Sequence, residues 1–205
     1  SHVPNTAGLL REVDASKVKE MDYLPGEKEG VYSGSKGLAL NVHVPSGIKP
    51  KAGDVSPWLE YLESVFPVAS DRHEVMRWCA TLIARPGTRM TYSLLIVSNA
   101  QGIGKTTLGQ DVLAPLVGLH NTSFPTETEI VDSNFNGWMA QKRLVVANEI
   151  YSGTSSKAYN KLKSVVTDNL IRVNEKFQAG FTLQNWSHVI ASSNSMRALK
   201  LDNED

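Results

Sequence analysis

The chain has little cysteine, no excess of charge of either sign and no long apolar run. Its single cysteine, Cys79, excludes an internal disulfide framework and a cysteine-based zinc site in this sequence. Lysine plus arginine and aspartate plus glutamate both number 21, so no global positive field attracts nucleic acid, and any such contact must be local. No signal peptide or membrane-length run is visible, which predicts an intracellular protein without a membrane partner.

What is present is typical of a globular protein. Hydrophobic residues make up 41% and charged residues 20% of 205 residues, enough for one substantial core. The five histidines show no metal-ligand spacing. We expect three regions, namely an irregular segment with one short strand, a small helical subdomain and an α/β core, at residues 1–56, 57–86 and 87–205.

The first two regions contain one predicted strand and two predicted helices. Alternating residues predict the strand at 37–44. Pro57 at a first helical position, with Ser56 as its N-cap, predicts a helix over 57–66. Apolar residues that share one helical face predict a second helix over 71–84. We expect Trp58, Trp78 and Cys79 to belong to the core.

A glycine-rich loop follows the apolar run Leu94–Val97, which predicts a buried strand, and precedes a predicted helix. This layout is typical of a phosphate-binding P-loop. Backbone N–H groups would approach the phosphates of a nucleoside triphosphate, Lys105 would reach the β- and γ-phosphates, and the Thr106 hydroxyl would bind Mg²⁺. Asn99 replaces the usual first glycine, and asparagine tolerates the left-handed conformation better than most residues. The candidate nucleotide-binding residues are Asn99, Ala100, Gln101, Gly102, Ile103, Gly104, Lys105, Thr106 and Thr107.

A second apolar run, Leu144–Ala147, ends in Asn148 and Glu149. In α/β sheets the carboxyl ends of the strands carry the ligands. Glu149 is therefore our candidate to orient or deprotonate the attacking water, and both residues are candidates to help Thr106 hold Mg²⁺, partly through water. Asn148 is neutral where an aspartate is usual, which predicts weaker metal binding.

A third apolar run ends at Asn194, whose amide could bond both a γ-phosphate and the water. Similar lengths of chain separate Lys105 from Glu149 and Glu149 from Asn194, and each can hold a helix and return to a neighbouring strand. We therefore predict catalytic roles for Lys105, Glu149 and Asn194.

The remaining pattern alternates strands with helices and predicts an α/β three-layer sandwich around a mainly parallel sheet. The predicted elements are an edge strand at 121–124, a helix at 126–139, a helix at 157–167 capped by Ser155 or Ser156, a hairpin at 171–183 and a strand at 186–193.

The order of these motifs resembles that of superfamily 3 helicases of the AAA+ class, in particular phage and plasmid primase-helicases of the poxvirus type. The resemblance spans about residues 38–205. Further strings that fit are Leu40-Asn41-Val42, Gly53-Asp54-Val55, Arg85-Pro86-Gly87, Phe135-Asn136-Gly137-Trp138 and Lys142-Arg143-Leu144.

The resemblance implies a homo-oligomeric ring, usually a hexamer, that hydrolyses ATP to move on single-stranded or forked DNA. It implies that the predicted hairpin grips DNA, with Lys176 on a phosphate, Phe177 on a base and Arg172 nearby. It also implies an upstream primase or polymerase domain and, for a phage protein, a location in the host cytoplasm.

One element of that family is missing. An arginine finger normally lies beyond the strand that ends in Ser-Asn, and only Arg197 follows Asn194. We expect the finger to lie beyond Asp205, so that this chain would bind nucleotide and hydrolyse it poorly.

Two other functions stay open on the sequence. One is a P-loop kinase acting on a small molecule, although no arginine-rich lid follows the P-loop. The other is a nucleotide-binding structural or loader module with little hydrolysis, which Asn99 and Asn148 would suit.

Overall fold

The computed structural model describes residues 17–100, 102–150, 157–177 and 179–195. Within these ranges the strands are β1 (Glu20–Asp22), β2 (Gly30–Gly34), β3 (Gly37–Asn41), β4 (Leu94–Val97), β5 (Thr122–Ser123), β6 (Leu144–Ala147), β7 (Leu170–Val173), β8 (Phe181–Gln184) and β9 (His188–Ser193). The helices are α1 (Ser56–Val65), α2 (Ala69–Ala84), α3 (Lys105–Thr107), α4 (Ala114–Val117), α5 (Glu127–Val131) and α6 (Lys157–Thr167).

A π-helical segment, Leu108–Leu113, joins α3 to α4, and we call this continuous run the P-loop helix. Short 3₁₀ turns occur at Leu119–Asn121 and Gly137–Met139. None of the helices in the described ranges is long and apolar enough to cross a bilayer.

A four-stranded parallel sheet lies at the centre of the molecule. Its strand order is β4-β9-β6-β5, so that β9, although last in sequence, pairs with both β4 and β6. Parallel neighbours require crossover connections, and helices provide them on both faces of the sheet. The predicted α/β sandwich with a mainly parallel sheet is confirmed.

Each face of the sheet has its own hydrophobic core, because successive strand residues point to opposite sides. Val146 and Ile190 pack on one side against α1, α2 and the P-loop helix. Val145 and Val189 pack on the other side against α5, α6 and the β7–β8 hairpin. The two helices predicted for residues 57–86 therefore share a core with the sheet, and Trp78 and Cys79 are buried in it as expected.

The N-terminal region is more regular than the sequence predicts. Instead of one strand it contains a three-stranded sheet, in which β3 pairs with β1 in parallel and with β2 in a tight hairpin. The Tyr32 hydroxyl donates to the Asp22 carboxylate and links the two outer strands. Strand β3 corresponds to the predicted strand, whereas β1 has only three residues and β2 begins and ends in glycine, so neither shows enough alternation to be predicted.

Two helix predictions need correction. The helix predicted for 126–139 ends at Val131, because Ser133 accepts the N–H of Phe135 in a local turn that competes with the helix. Helix α1 begins one residue early, at Ser56, whose N–H donates to the Asp54 carboxylate (2.9 Å), so Ser56 is not its N-cap. The caps proposed at Ser155 or Ser156 lie outside the described residues.

A buried histidine joins the amino ends of three central strands. His188, 1% exposed at the start of β9, accepts the N–H of Met90 at Nε2 (3.0 Å). Its Nδ1 lies 3.1 Å from the carbonyl of Arg143, to which it donates. Burial, followed by the nearby Arg143, lowers the pKa of His188 to about 4, so the neutral ring is the form that fits here.

The lowered pKa of His188 predicts that the folded protein loses stability in acid. Because the folded-state pKa lies below the unfolded value, the unfolded chain binds more protons, and stability falls between about pH 6.5 and 4. From pH 7 to 5 we expect His188 to contribute about 2 kcal/mol of this loss. His43, whose pKa burial also lowers to about 4, adds to it in the same direction.

Urea unfolding at several pH values checks this expectation. The variant His188→Gln should be less stable at pH 7 and should lose less stability on acidification, whereas His73→Gln, at an exposed position, should follow the parent protein. An unchanged pH slope in His188→Gln would contradict the assignment.

The P-loop helix packs so closely on the sheet that one of its residues must be glycine. A Cβ added at Gly109 would lie 2.8 Å from Cγ1 of Val146 and 3.2 Å from Cγ2 of Ile190. Both partners are buried in the middle of the sheet and cannot move aside. We expect Gly109→Ala to lose about 1–2 kcal/mol of stability in urea unfolding, since overpacking outweighs better helix propensity.

The matched control is Gly53→Ala, where nothing lies within 4 Å of the added methyl group. Its free energy of unfolding should change by less than about 0.5 kcal/mol. Equal stability of both variants would show that the helix can shift away from the sheet.

Candidate active site

Lys105 is held at the junction between strand β4 and the P-loop helix. The preceding loop turns through Gly102 (φ 72°) and Gly104 (φ 93°), a left-handed conformation that glycine adopts without strain. Lys105 is only 9% exposed, and its Nζ donates to the carbonyls of Ser98 (3.0 Å) and Ala100 (2.6 Å). The ammonium group is thus fixed beside the loop by backbone oxygens.

A cavity of about 330 Å³ opens at this junction. Its volume lies in the lower part of the range for small-molecule sites. The residues that line it come from the glycine loop, the start of the P-loop helix and the ends of two strands, and they are Gly102, Ile103, Gly104, Lys105, Thr106, Thr107, Glu149, Ser192, Ser193 and Asn194.

The strand order explains why these residues meet. Lys105 follows β4, Glu149 follows β6 and Asn194 follows β9, which pairs with both of the others. The carboxyl ends of adjacent parallel strands emerge at one edge of the sheet. The structure therefore brings together the three residues for which catalytic roles are predicted, and Glu149 and Asn194 are exposed there.

The Ser192 hydroxyl organises the strand end that carries Glu149. It donates to Oδ1 of Asn148 (3.2 Å) and lies 3.5 Å from the backbone N of Glu149, while the Ser192 carbonyl accepts the N–H of Ile150 (3.0 Å). Glu149 has a positive φ of 56°, which is uncommon for a non-glycine residue. These contacts to β9 hold the carboxylate where the chain turns away from the sheet.

Asn148 does not line this cavity. Its side chain accepts from Ser192, and the residue lines a neighbouring cavity of about 300 Å³ together with Gln110 and Phe124. In the described ranges no group of three or more His, Cys, Asp or Glu residues is placed to hold a metal ion. Of the predicted metal ligands, Thr106 and Glu149 lie at the cavity.

The first part of the predicted P-loop lies apart from the cavity lining. Asn99 is exposed and keeps a negative φ, so the turn does not use the left-handed conformation that asparagine would permit. Ala100 contributes its carbonyl to Lys105. Gln101 and Arg197 lie outside the described residues.

The predicted hairpin is formed by β7 and β8, which pair antiparallel. At its tip, Phe177 is 94% exposed with a φ of 65°, and the Nζ of Lys176 lies 5.1 Å from the centre of its ring. Arg172 is exposed on β7. The three predicted DNA-contacting residues therefore share one hairpin, and the tip presents a cation beside an aromatic ring.

The end of β7 next to the hairpin tip is anchored by the segment that precedes the Gly137–Met139 turn. Asn136 donates to the carbonyl of Arg172 (2.9 Å) and accepts the N–H of Asn174 (2.7 Å). Asn174 in turn donates to the carbonyl of Asn134 (2.9 Å). The hairpin is thus held close to its tip, while Phe177 itself remains exposed.

Sequence reasoning missed three residues of the site. Ser192 and Ser193 line the cavity, and their position at the end of a predicted strand just before Asn194 could have indicated them. Tyr61 gave no such signal, because it contacts Gly104 from a helix far away in sequence. Its hydroxyl donates to the Gly104 carbonyl (2.8 Å), and burial raises its pKa to about 12.

Solved structures of the C-terminal region of NrS-1 share this fold. One apo structure matches with a TM-score of 0.77 and 23% sequence identity over 90% of this chain and 45% of that chain. Two A-form apo structures each give a TM-score of 0.74, one with 22% identity over 90% of this chain and 44% of that chain, the other with 20% identity over 96% and 48%. At such identities the similarity establishes the fold, and the chain spans less than half of that region.

Sequence comparison places the chain in a family. No curated protein sequence matched it. A family model described as "family of unknown function (DUF5906)" matches residues 96–205, more than half of the chain and all of the described cavity. The chain therefore belongs to the DUF5906 family.

Proposed function

We propose that this chain is the ATP-hydrolysing domain of a DNA helicase or translocase, part of a replication protein related to the superfamily 3 helicases. The observation that carries the proposal is the convergence of Lys105, Glu149 and Asn194 on one cavity at the ends of three adjacent parallel strands. The ammonium group of Lys105 suits phosphate binding, and the carboxylate of Glu149 and the amide of Asn194 suit the activation of water.

The loop would bind the triphosphate of ATP. Gly102 and Gly104 adopt the left-handed conformation that lets a loop curve around an anion, and the N-terminus of the P-loop helix would face the phosphates. Lys105 would exchange its two carbonyl partners for phosphate oxygens, which form stronger, charge-assisted hydrogen bonds. The exposed Thr106 hydroxyl would help hold Mg²⁺, which when bound neutralises phosphate charge and needs few protein ligands.

Glu149 and Asn194 would act on the water. The Glu149 carboxylate reaches the cavity from the end of β6 and would orient or deprotonate it. Asn194, at the end of β9, would bond both the γ-phosphate and the water. Asn148 takes no part in this scheme, since its side chain is held by Ser192 away from the cavity.

The β7–β8 hairpin would bind DNA. Its tip carries Lys176 for a backbone phosphate and Phe177 for stacking on a base, with Arg172 along the strand. Because the chain has no net charge, a local contact of this kind is the form that DNA binding would take. A homo-hexameric ring with an upstream primase domain belongs to the same proposal.

Measuring ATPase activity with and without single-stranded DNA, beside the molecular mass in solution, tests this function. We expect the wild type to bind ATP and DNA to stimulate hydrolysis. Lys105→Ala should weaken ATP binding about tenfold or more, the range for a lost charged hydrogen bond. Glu149→Gln should retain binding and lose about 10²-fold or more in rate.

The matched control for Glu149→Gln is Glu60→Gln, a change at an exposed position on α1, which should leave the rate unchanged. Wild-type protein that fails to bind ATP would exclude the proposal. Transfer of phosphate to an added metabolite would instead identify a kinase. Binding with no hydrolysis at any DNA concentration, both in this chain and in a chain extended at its C-terminus, would favour a structural module.

Substitutions at the hairpin tip test the DNA contact. Phe177→Ala should weaken binding to single-stranded DNA by about 1–3 kcal/mol through lost stacking. Lys176→Ala should lower the slope of log affinity against log salt by about 0.7, the value for one phosphate contact on a single strand. Fluorescence anisotropy over a range of salt concentrations measures both effects.

Lys51→Ala provides the control for charge alone, because Lys51 is exposed in a loop outside the hairpin. It should keep the salt slope of the wild type. If the hairpin variants bind DNA as the wild type does, another surface makes the contact.

A further inference from the structure

The carbonyl of Gly104 bonds to a side chain more closely than to its own helix. The Tyr61 hydroxyl donates to it at 2.8 Å, whereas the first helical N–H, from Leu108, lies 3.4 Å away. The π-helical segment begins at Leu108, so the helix departs from regular α-geometry just after this contact. Tyr61 is thus the stronger partner of the last loop carbonyl.

The direction of this carbonyl determines the direction of a neighbouring donor. No cis peptide bond occurs in the described residues, and in a trans peptide the C=O of Gly104 and the N–H of Lys105 point in opposite directions. Since the carbonyl is turned towards α1, the Lys105 N–H is turned away from it. This N–H has no partner within the helix, because it belongs to the first turn.

Tyr61 lies close to the loop, and neighbouring side chains hold its ring in place. A Cβ added at Gly104 would lie 3.0 Å from Cε2 of Tyr61 and 3.4 Å from Cγ2 of Val65, so α1 lies directly against the loop. The ring of Trp58 stacks on that of Tyr61, with centroids 5.7 Å apart and an angle of 24° between the planes. These contacts fix the ring and hold the hydroxyl on the carbonyl.

We propose that Tyr61 is a positioning residue, which orients the Gly104–Lys105 peptide so that the Lys105 N–H donates to bound polyphosphate. This inference rests on the proposed nucleotide-binding function and assigns Tyr61 to the phosphate end of the ligand. Removing the hydroxyl takes away the shorter of the two hydrogen bonds to the Gly104 carbonyl, so the Gly104–Lys105 peptide and its N–H are no longer held in one orientation.

Binding of two ligands tests the proposal. Isothermal titration calorimetry would compare ATP with inorganic tripolyphosphate, which has no base or sugar, on the wild type and on Tyr61→Phe. The ring and its stacking remain in this variant, so the fold should be retained, as circular dichroism can verify. We expect the dissociation constants for both ligands to rise by the same factor, about 3- to 10-fold, the range for one hydrogen bond.

Tyr23→Phe is the matched control. The Tyr23 hydroxyl also makes one buried hydrogen bond, to Oδ1 of Asn121 at 2.9 Å, and neither residue lines the cavity. This variant should lose similar stability and keep both dissociation constants. A comparable rise in Tyr23→Phe would show that general destabilisation explains the effect and would overturn the proposal.

The remaining outcomes separate this inference from the proposed function. If Lys105→Ala loses ATP binding while Tyr61→Phe binds like the wild type, the function stands and the role of Tyr61 is wrong. If Tyr61→Phe weakens ATP and leaves tripolyphosphate unaffected, Tyr61 acts on the base or sugar, which also overturns the proposal. If the wild type binds neither ligand, both the function and the inference fall.

Discussion

The insertion of β9 between β4 and β6 is the constraint on which the site depends. Hydrogen bonds on both sides of β9 fix the register of three strands at once, and every residue of β9 is buried. At its amino end, His188 joins the segments that enter the neighbouring strands through Met90 and Arg143. At its carboxyl end, Ser192 organises the residues that form the cavity. One strand thus connects the buried base of the sheet with the exposed site.

The two ends of the sheet use polar groups in different ways. At the base, burial keeps His188 neutral, and Arg143 donates to the carbonyl of Leu82 at the end of α2. These hydrogen bonds offset part of the cost of burying polar groups, although Nε of Arg143 has no hydrogen-bond partner among the described residues. At the opposite end, Glu149 and Asn194 are exposed, and the described partners of the Lys105 ammonium group are backbone oxygens. The base of the sheet therefore provides rigidity, and the other end provides groups that can bind a ligand.

The sequence predicted the central features of this arrangement because they follow from local patterns. Apolar runs that end in polar residues gave β4, β6 and β9, and their order along the chain placed Lys105, Glu149 and Asn194 at the same edge. Strands β1 and β2 of the N-terminal sheet could not be predicted, since the first has only three residues and the second begins and ends in glycine, which leaves too little alternation to detect. The side-chain direction of Asn148 and the contact between Tyr61 and Gly104 arise from tertiary packing, which leaves no trace in local sequence.

A very short piece of chain joins the hairpin to β9, the strand whose far end lines the cavity. Only three residues, Asn185, Trp186 and Ser187, separate β8 from β9. Asn185 donates from Nδ2 to the carbonyls of Val165 and Asp168, and Ser187 donates from its hydroxyl to the carbonyl of Lys142. These bonds fix the connection, so the base of the hairpin keeps one position relative to the amino end of β9. The chain therefore runs from the exposed tip at Phe177 through β8 directly into the strand that ends at the cavity.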